Sequence, residues 1–161
     1  MSKEQSVDFS KIKTGGTFLT NVVGSEKVFC KELFSDEEKM IYEAMRDFAT
    51  NELLPLSQNE LNKKDEKLIR KLVEQMGELG FLGIDVPEKY GGSEMTKTGM
   101  CILAEGISFC GSPSFCTVWN VQTSIGSLGI IWYGNDEQKQ KWLPGICSGK
   151  KIAAFGLTEP E

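Results

Sequence analysis

The segment that decides the fold lies at residues 115–133 and reads FCTVWNVQTSIGSLGIIWY. Apolar residues occur on all sides of a helix built from it, including Val118, Val121, Ile125, Leu128 and Ile131. A helix that is apolar all round is buried in the middle of a bundle and not at its surface. Gly126 and Gly129 interrupt the run, so it predicts one or two central helices of a helical domain.

Amphipathic helices are predicted on both sides of this central segment. Apolar residues recur at helical spacing after each predicted start, and these starts are Ser35, Asp65, Thr96, Ser112 and Asn135. Gly80, Gly111 and the Pro144–Gly145 pair are predicted helix ends. The fold class is therefore mainly α, a bundle of about five or six helices.

A strand is predicted after the bundle. The predicted strand covers residues 150–158 around an apolar run at 152–155, and Glu159-Pro160-Glu161 favours a turn. Because an isolated edge strand leaves its backbone groups unpaired, the run is interpreted as the first strand of a truncated β domain. The predicted organisation is a leader or arm at 1–34, a helical domain at 35–149 and the start of a middle β domain at 150–161.

Composition excludes several classes of function. The net charge is −5, from 18 basic and 23 acidic residues, which gives no support for nucleic-acid binding. No apolar run approaches the roughly 20 residues that a membrane span needs. The N-terminus lacks the features of a secretory or transit peptide, so the expected location is cytoplasmic, with the mitochondrial matrix disfavoured.

The reactive side chains point to no catalytic group within the chain. Histidine is absent, which removes Ser-His-Asp, Cys-His and His-metal chemistry. The five cysteines lack metal-ligand spacing and are interpreted as buried, reduced thiols. Among the carboxylates, Glu105 alone is flanked by small residues in an apolar helix, and its expected role is structural.

Polar residues interrupt the central segment at Gln122-Thr123-Ser124. Buried polar groups need partners, so these side chains either bond to nearby backbone or line a cavity. A cavity floored by Val118, Val121 and Gln122 would suit an apolar ligand.

The run at 155–158 is a candidate ligand site. The hydroxyl and backbone N–H of Thr158 can hydrogen-bond the polar edge of a flat heterocycle, while Phe155 and Leu157 cover its apolar surface. The alternative is an ordinary strand and turn without a ligand.

Four ordered segments resemble the N-terminal part of the acyl-CoA dehydrogenase family, over roughly residues 34–161. They are MGELGFLG at 76–83, VPEKYGG at 86–92, GNDEQKQKWLP at 134–144 and AFGLTEP at 154–160. The resemblance implies an enzyme with an α-helical N-terminal domain, a middle β domain and a C-terminal helical bundle, and with FAD as cofactor.

Site residues also follow from the resemblance. It implies that Phe155, Leu157 and Thr158 contact the flavin, and that Val118, Val121 and Gln122 help form the floor of the acyl pocket. The implied reaction is α,β-desaturation of an acyl-CoA thioester in fatty-acid β-oxidation or amino-acid catabolism. Its catalytic base is a glutamate expected beyond residue 161, so none is assigned here, and no metal is expected.

The implied partners are the acyl-CoA substrate, further copies in a tetramer or dimer, and an electron-transfer flavoprotein. Many long-chain members have histidine where Val121 stands, which leaves the acyl-chain length open. Two alternatives remain at this point, namely a non-catalytic truncated paralogue acting as a binding or assembly module, and an acyl-CoA oxidase-type flavoprotein.

Overall fold

The computed structural model describes residues 31–56, 60–63 and 65–159. Six α-helices lie in this part of the chain: α1 Asp36–Phe48, α2 Glu66–Glu78, α3 Lys97–Ile107, α4 Pro113–Thr123, α5 Leu128–Tyr133 and α6 Asp136–Cys147. Short helical turns join some of them, including a π-helical turn at Ala49–Leu53. The mainly α fold class is confirmed.

Capping side chains fix several of the helix starts predicted from the sequence. Asp65 accepts hydrogen bonds from the Lys67 and Leu68 backbone N–H groups before α2. At α6, Asn135 and Gln138 exchange side-chain-to-backbone hydrogen bonds of 2.8 and 2.9 Å, which completes a capping box. Such caps satisfy N–H groups that have no partner inside the helix.

The main core is formed by helices α1 to α4 and the loop that follows α2. Its buried residues include Met45, Met76, Phe81, Leu103 and Trp119. The Trp119 indole also donates a 3.0 Å hydrogen bond to the Phe81 carbonyl, so the loop is held by a polar contact as well as by packing. A second buried cluster joins Val86, Tyr90, Leu143 and Cys147.

Glycines allow a close backbone approach between α2 and the turn after α6. A Cβ added at Gly77 would lie 2.3 Å from the Ser148 carbonyl carbon, and one at Gly149 would lie 2.5 Å from the Val73 carbonyl oxygen. Gly149 also has a φ of +73°, which favours glycine over any L side chain. This contact between Gly77 and Gly149 is called the glycine seam below.

The predicted end of α6 at Pro144 is wrong. The helix continues to Cys147 with Pro144 inside it. Proline removes one helical hydrogen bond, but Leu143, Ile146 and Cys147 are buried on this helix. Burial of these side chains stabilises the last turn in spite of the proline.

The predicted strand is also corrected. Residues 152–159 have no regular secondary structure. A strand is held by ladder hydrogen bonds to a neighbouring strand, and no strand is present in the part of the chain that the structure describes. The run therefore emerges from the bundle without a sheet to join.

The chain divides into two units, residues 1–37 and 38–161. The predicted arm at 1–34 lies outside the described residues except for its end, where Lys31–Leu33 form a 3-10 turn. Over the described ranges, no helix combines the length and apolarity needed to cross a membrane.

Candidate functional site

The candidate flavin-contacting residues lie on the C-terminal segment, defined here as residues 150–159. Phe155 is 59% exposed, Leu157 is 77% exposed, and Thr158 is also exposed. Within the described chain, no hydrogen bond involves the backbone of residues 154–158. The segment thus presents apolar side chains and unpaired backbone groups at the surface.

The base of the C-terminal segment is firmly held by the bundle. The Gln122 amide nitrogen donates to the Ile146 carbonyl at 3.0 Å and to the Lys151 carbonyl at 2.8 Å. Its amide oxygen accepts a 2.8 Å hydrogen bond from the Ala153 N–H. The Lys151 N–H donates in turn to the Gly145 carbonyl at 2.8 Å. Residues 151–153 are therefore attached to both α4 and α6.

The polar side chains at the end of α4, those of Gln122, Thr123 and Ser124, hydrogen-bond to backbone groups. Besides Gln122, which is 1% exposed, the Thr123 hydroxyl donates to the Trp119 carbonyl at 3.0 Å. The Ser124 hydroxyl bonds to the Asn120 carbonyl. Of the two roles considered for these three residues, backbone bonding is the one that the contacts display.

The other two predicted pocket residues lie on the same helix. Val118 is half-buried and packs against the main core, and Val121 is half-buried as well. A surface cavity of about 300 Å³ between α3 and α4 is lined by other residues, namely Ala104, Ile107, Cys116, Thr117, Trp119 and Asn120. The acyl-pocket role of Val118, Val121 and Gln122 stays a prediction.

A larger surface cavity of about 450 Å³ adjoins the C-terminal segment. Its lining comprises Arg70, Gly126, Ile130, Trp142, Ile146, Lys150, Lys151, Ile152, Ala153 and Ala154. The Lys151 ammonium lies 4.4 Å from the centre of the Trp142 ring and donates to the Lys141 carbonyl. Among the described residues, three basic ones and no acidic one line this cavity, so it favours an anionic group.

A polar cluster that the sequence did not predict ties the loop after α2 to the start of α6. The Tyr90 hydroxyl donates a 2.5 Å hydrogen bond to Asp136, and Lys89 lies 3.6 Å from the same carboxylate oxygen. The Tyr90 hydrogen bond first, and then the charge of Lys89, lower the pKa of the Asp136 carboxyl. Tyr90 and Asp136 lie 46 residues apart in sequence, and local sequence patterns give no signal over that distance.

The described cysteines are free thiols in different environments. Cys110 and Cys147 are buried as expected, and Cys116 is half-buried, but Cys101 is exposed, so the prediction is wrong for it. Burial raises the pKa of both the Cys116 and the Cys147 thiol to about 11, which keeps them protonated near neutral pH. The fifth cysteine, Cys30, lies outside the described residues.

No group of three or more His, Cys, Asp or Glu side chains is placed to hold a metal ion in the described part of the chain. Glu105 is exposed and accepts a 3.4 Å hydrogen bond from the Tyr42 hydroxyl. The site thus consists of an exposed apolar run at residues 155–157 on a base that the bundle holds.

This arrangement defines the chain as an all-helical domain that presents a short apolar segment from its C-terminal end. A sequence profile described as "Acyl-CoA dehydrogenase, N-terminal domain" matches residues 35–150. The chain therefore belongs to the acyl-CoA dehydrogenase family, as the sequence motifs indicate.

Individual relatives agree with this assignment. A probable acyl-CoA dehydrogenase of Bacillus subtilis (strain 168) is 41% identical over 149 residues, which is 92% of this chain and 25% of that protein. The human mitochondrial short-chain specific acyl-CoA dehydrogenase is 35% identical over 125 residues, which is 78% of this chain and 30% of that protein. The chain thus spans about a quarter to a third of the length of these curated relatives.

A solved structure shares the fold. The crystal structure of a Bacillus anthracis acyl-CoA dehydrogenase complexed with FAD has 42% sequence identity and a TM-score of 0.78. The match covers 91% of this chain and 25% of that chain.

Proposed function

We propose that this chain is the N-terminal part of a FAD-dependent acyl-CoA dehydrogenase, which desaturates an acyl-CoA thioester between its α and β carbons. Membership of the family supports the proposal, and so does the FAD complex of the similar Bacillus anthracis protein. The single observation that carries it is the exposed run Phe155, Leu157 and Thr158 on a held base.

The C-terminal segment fits a flavin chemically. Phe155 and Leu157 offer apolar surface, and the unpaired backbone and hydroxyl of Thr158 offer hydrogen-bonding groups. A flat heterocycle with one polar edge needs both kinds of contact. When bound, the flavin supplies the hydride acceptor, while this chain's residues bind and orient it.

The remaining parts of the proposal concern groups outside this site. The catalytic base is a glutamate beyond residue 161, and Val118, Val121 and Gln122 belong to the acyl-pocket side of α4. The whole protein is a homo-oligomer, a tetramer or dimer, that passes electrons to an electron-transfer flavoprotein. We place the enzyme in the cytoplasm and in fatty-acid β-oxidation.

The 161-residue chain alone is expected to lack dehydrogenase activity and to bind FAD very weakly, because it holds only one side of the flavin site. The test compares this chain with the whole protein, measuring FAD per chain and bleaching of the flavin absorbance by acyl-CoA thioesters. FAD retained at one per 161-residue chain would contradict the expectation. A whole protein without FAD, or with FAD that no acyl-CoA reduces, would overturn the proposal.

A substitution tests the binding role directly. Thr158→Ala in the whole protein should lower FAD affinity roughly tenfold, since it removes a hydrogen bond worth about 1–1.5 kcal/mol. The matched control is Thr50→Ala, whose hydroxyl donates to the Arg46 carbonyl at 2.9 Å and which should bind FAD normally. Equal affinity in both variants would remove Thr158 from the site.

A second candidate is a non-catalytic association module. The exposed apolar residues favour it, because Tyr133 is 87% exposed and Trp132 is 59% exposed in addition to the C-terminal segment. This candidate predicts flavin-free protein that self-associates, measured by sedimentation. An oxidase-type enzyme would instead show reduced flavin that reacts rapidly with oxygen.

A further inference from the structure

We propose that Gln122 is a positioning residue for the C-terminal segment. The inference rests on the proposed function, because the segment that it positions carries the proposed flavin contacts. It assigns Gln122 a role in addition to the acyl-pocket role that the family resemblance implies.

The first observation is that the amide nitrogen and oxygen of the Gln122 side chain already have hydrogen-bond partners. Both N–H groups of its amide are directed at carbonyl oxygens, those of Ile146 and Lys151, and its oxygen accepts from the Ala153 N–H. The residue is 1% exposed. Breaking these contacts would leave buried polar groups unpaired, which is unfavourable.

The second observation is steric and independent of the amide. Gly126, in the turn after α4, lies directly behind the C-terminal segment. A Cβ added at Gly126 would lie 2.8 Å from the Ala153 Cβ and 3.0 Å from its carbonyl carbon. Ala153 thus packs against Gly126, and its N–H donates a hydrogen bond to Gln122. These two contacts define its position.

The consequence for the flavin contacts follows from chain geometry. A residue spans at most about 3.3–3.6 Å of extended chain. Phe155, two residues beyond Ala153, must therefore lie within roughly 7 Å of the Ala153 Cα, and Thr158 within roughly 18 Å. Fixing Ala153 restricts where both side chains can be, which lowers the ordering cost of binding a ligand against them.

The first experiment uses the 161-residue chain and needs no flavin. Hydrogen exchange of backbone amides is measured by NMR in the unmodified chain and in Gln122→Met, which keeps the length of the side chain and loses its hydrogen bonds. The Ala153 amide should exchange at least tenfold faster in this variant. The control is Thr123→Val, because the Thr123 hydroxyl contacts only the Trp119 carbonyl of its own helix; Ala153 exchange should not change.

The unmodified chain provides a test even if Gln122→Met does not fold. The side-chain NH₂ group of Gln122 and the Ala153 amide should both be protected from exchange. Rapid exchange of either group would overturn the proposal, as would unchanged Ala153 exchange in a folded Gln122→Met chain.

The second experiment uses the whole protein and separates the two roles of Gln122. Gln122→Met should weaken FAD binding at least tenfold and alter the visible spectrum of the bound flavin, whereas an effect on the acyl pocket would change the relative kcat/KM values across short and long acyl-CoAs. Normal FAD affinity and an unchanged flavin spectrum in this variant would overturn the positioning role. Absence of FAD from the unmodified whole protein would instead refute the proposed function, and the exchange experiment would still decide the contact.

Discussion

Helix α4 and the C-terminal segment carry the same kinds of apolar residue in opposite environments. Phe115 and Trp119 on α4 are 1% and 2% exposed, whereas Phe155 and Leu157 on the segment are 59% and 77% exposed. The difference arises because α4 is surrounded by the other helices, while the segment has no neighbouring sheet among the described residues. The bundle therefore completes its own core, and the segment depends on groups that the bundle does not provide.

The strongest test of this contrast compares two tryptophans. Trp119→Ala should lower the free energy of unfolding by about 3–5 kcal/mol, because it leaves a large cavity and removes the bond to the Phe81 carbonyl. Trp132→Ala, at a residue 59% exposed, should change it by less than about 1 kcal/mol. Urea denaturation measures both, and similar losses would contradict the assignment of Trp119 to the core.

The glycine seam gives the next largest effect. Gly77→Ala should destabilise the chain by about 1–3 kcal/mol, because overpacking outweighs the gain of about 1 kcal/mol in helix propensity. Gly129→Ala is the control, since no atom lies within 4 Å of its added Cβ, and it should be neutral or stabilising. Thermal unfolding followed by circular dichroism distinguishes the two, and a stabilised Gly77→Ala would show that the seam is not tight.

Buried thiols give the bundle a pH dependence that the C-terminal segment, which has no cysteine, lacks. The pKa of the Cys147 thiol is raised from 9.0 to about 11 by burial, so the unfolded chain loses this proton at a lower pH than the folded one. The contribution of the protonated Cys147 thiol to the free energy of unfolding is therefore fully present below pH 9, and it is lost as the pH rises towards 11. Urea midpoints between pH 8 and 11 should fall less steeply for Cys147→Ala than for the unmodified chain. Equal slopes of urea midpoint against pH in the two chains would contradict this pH dependence.

The smallest effect is expected on the segment itself. Replacing both Phe155 and Leu157 by serine should leave the free energy of unfolding of the 161-residue chain within about 0.5 kcal/mol of its original value. Binding of a hydrophobic dye should fall, because the two exposed side chains are removed. A loss of several kcal/mol would mean that the segment belongs to the core after all.

Local patterns predicted the helices well because the signals for helix starts are local. Asp65 and Asn135 cap the helices that follow them, and each cap involves residues two or three positions away. The strand prediction failed for the opposite reason, since a strand depends on a partner elsewhere. Pro144 was misinterpreted because the burial that holds the last turn of α6 is a tertiary effect.

The candidate site was predictable only in part. Four ordered segments, the last of which contains Thr158, indicated the family, and the polar residues at the end of α4 drew attention to Gln122. Its actual partners lie 24 to 31 residues away in sequence, so spacing could not reveal them. The role of Gly77 could not be predicted either, because helix propensity gives no information on its packing against Ser148.

The glycine seam is also expected to form late in folding. It joins α2 to the turn after α6, with α3 to α6 between them in the sequence, and contacts between distant parts of a chain form only after the loop between them closes. The turn at Gly149 leads directly into residues 151–153. The proposed flavin-contacting residues are thus expected to take their positions only once α2 and the end of α6 have met, which makes an ordered C-terminal segment a sign that the bundle is complete.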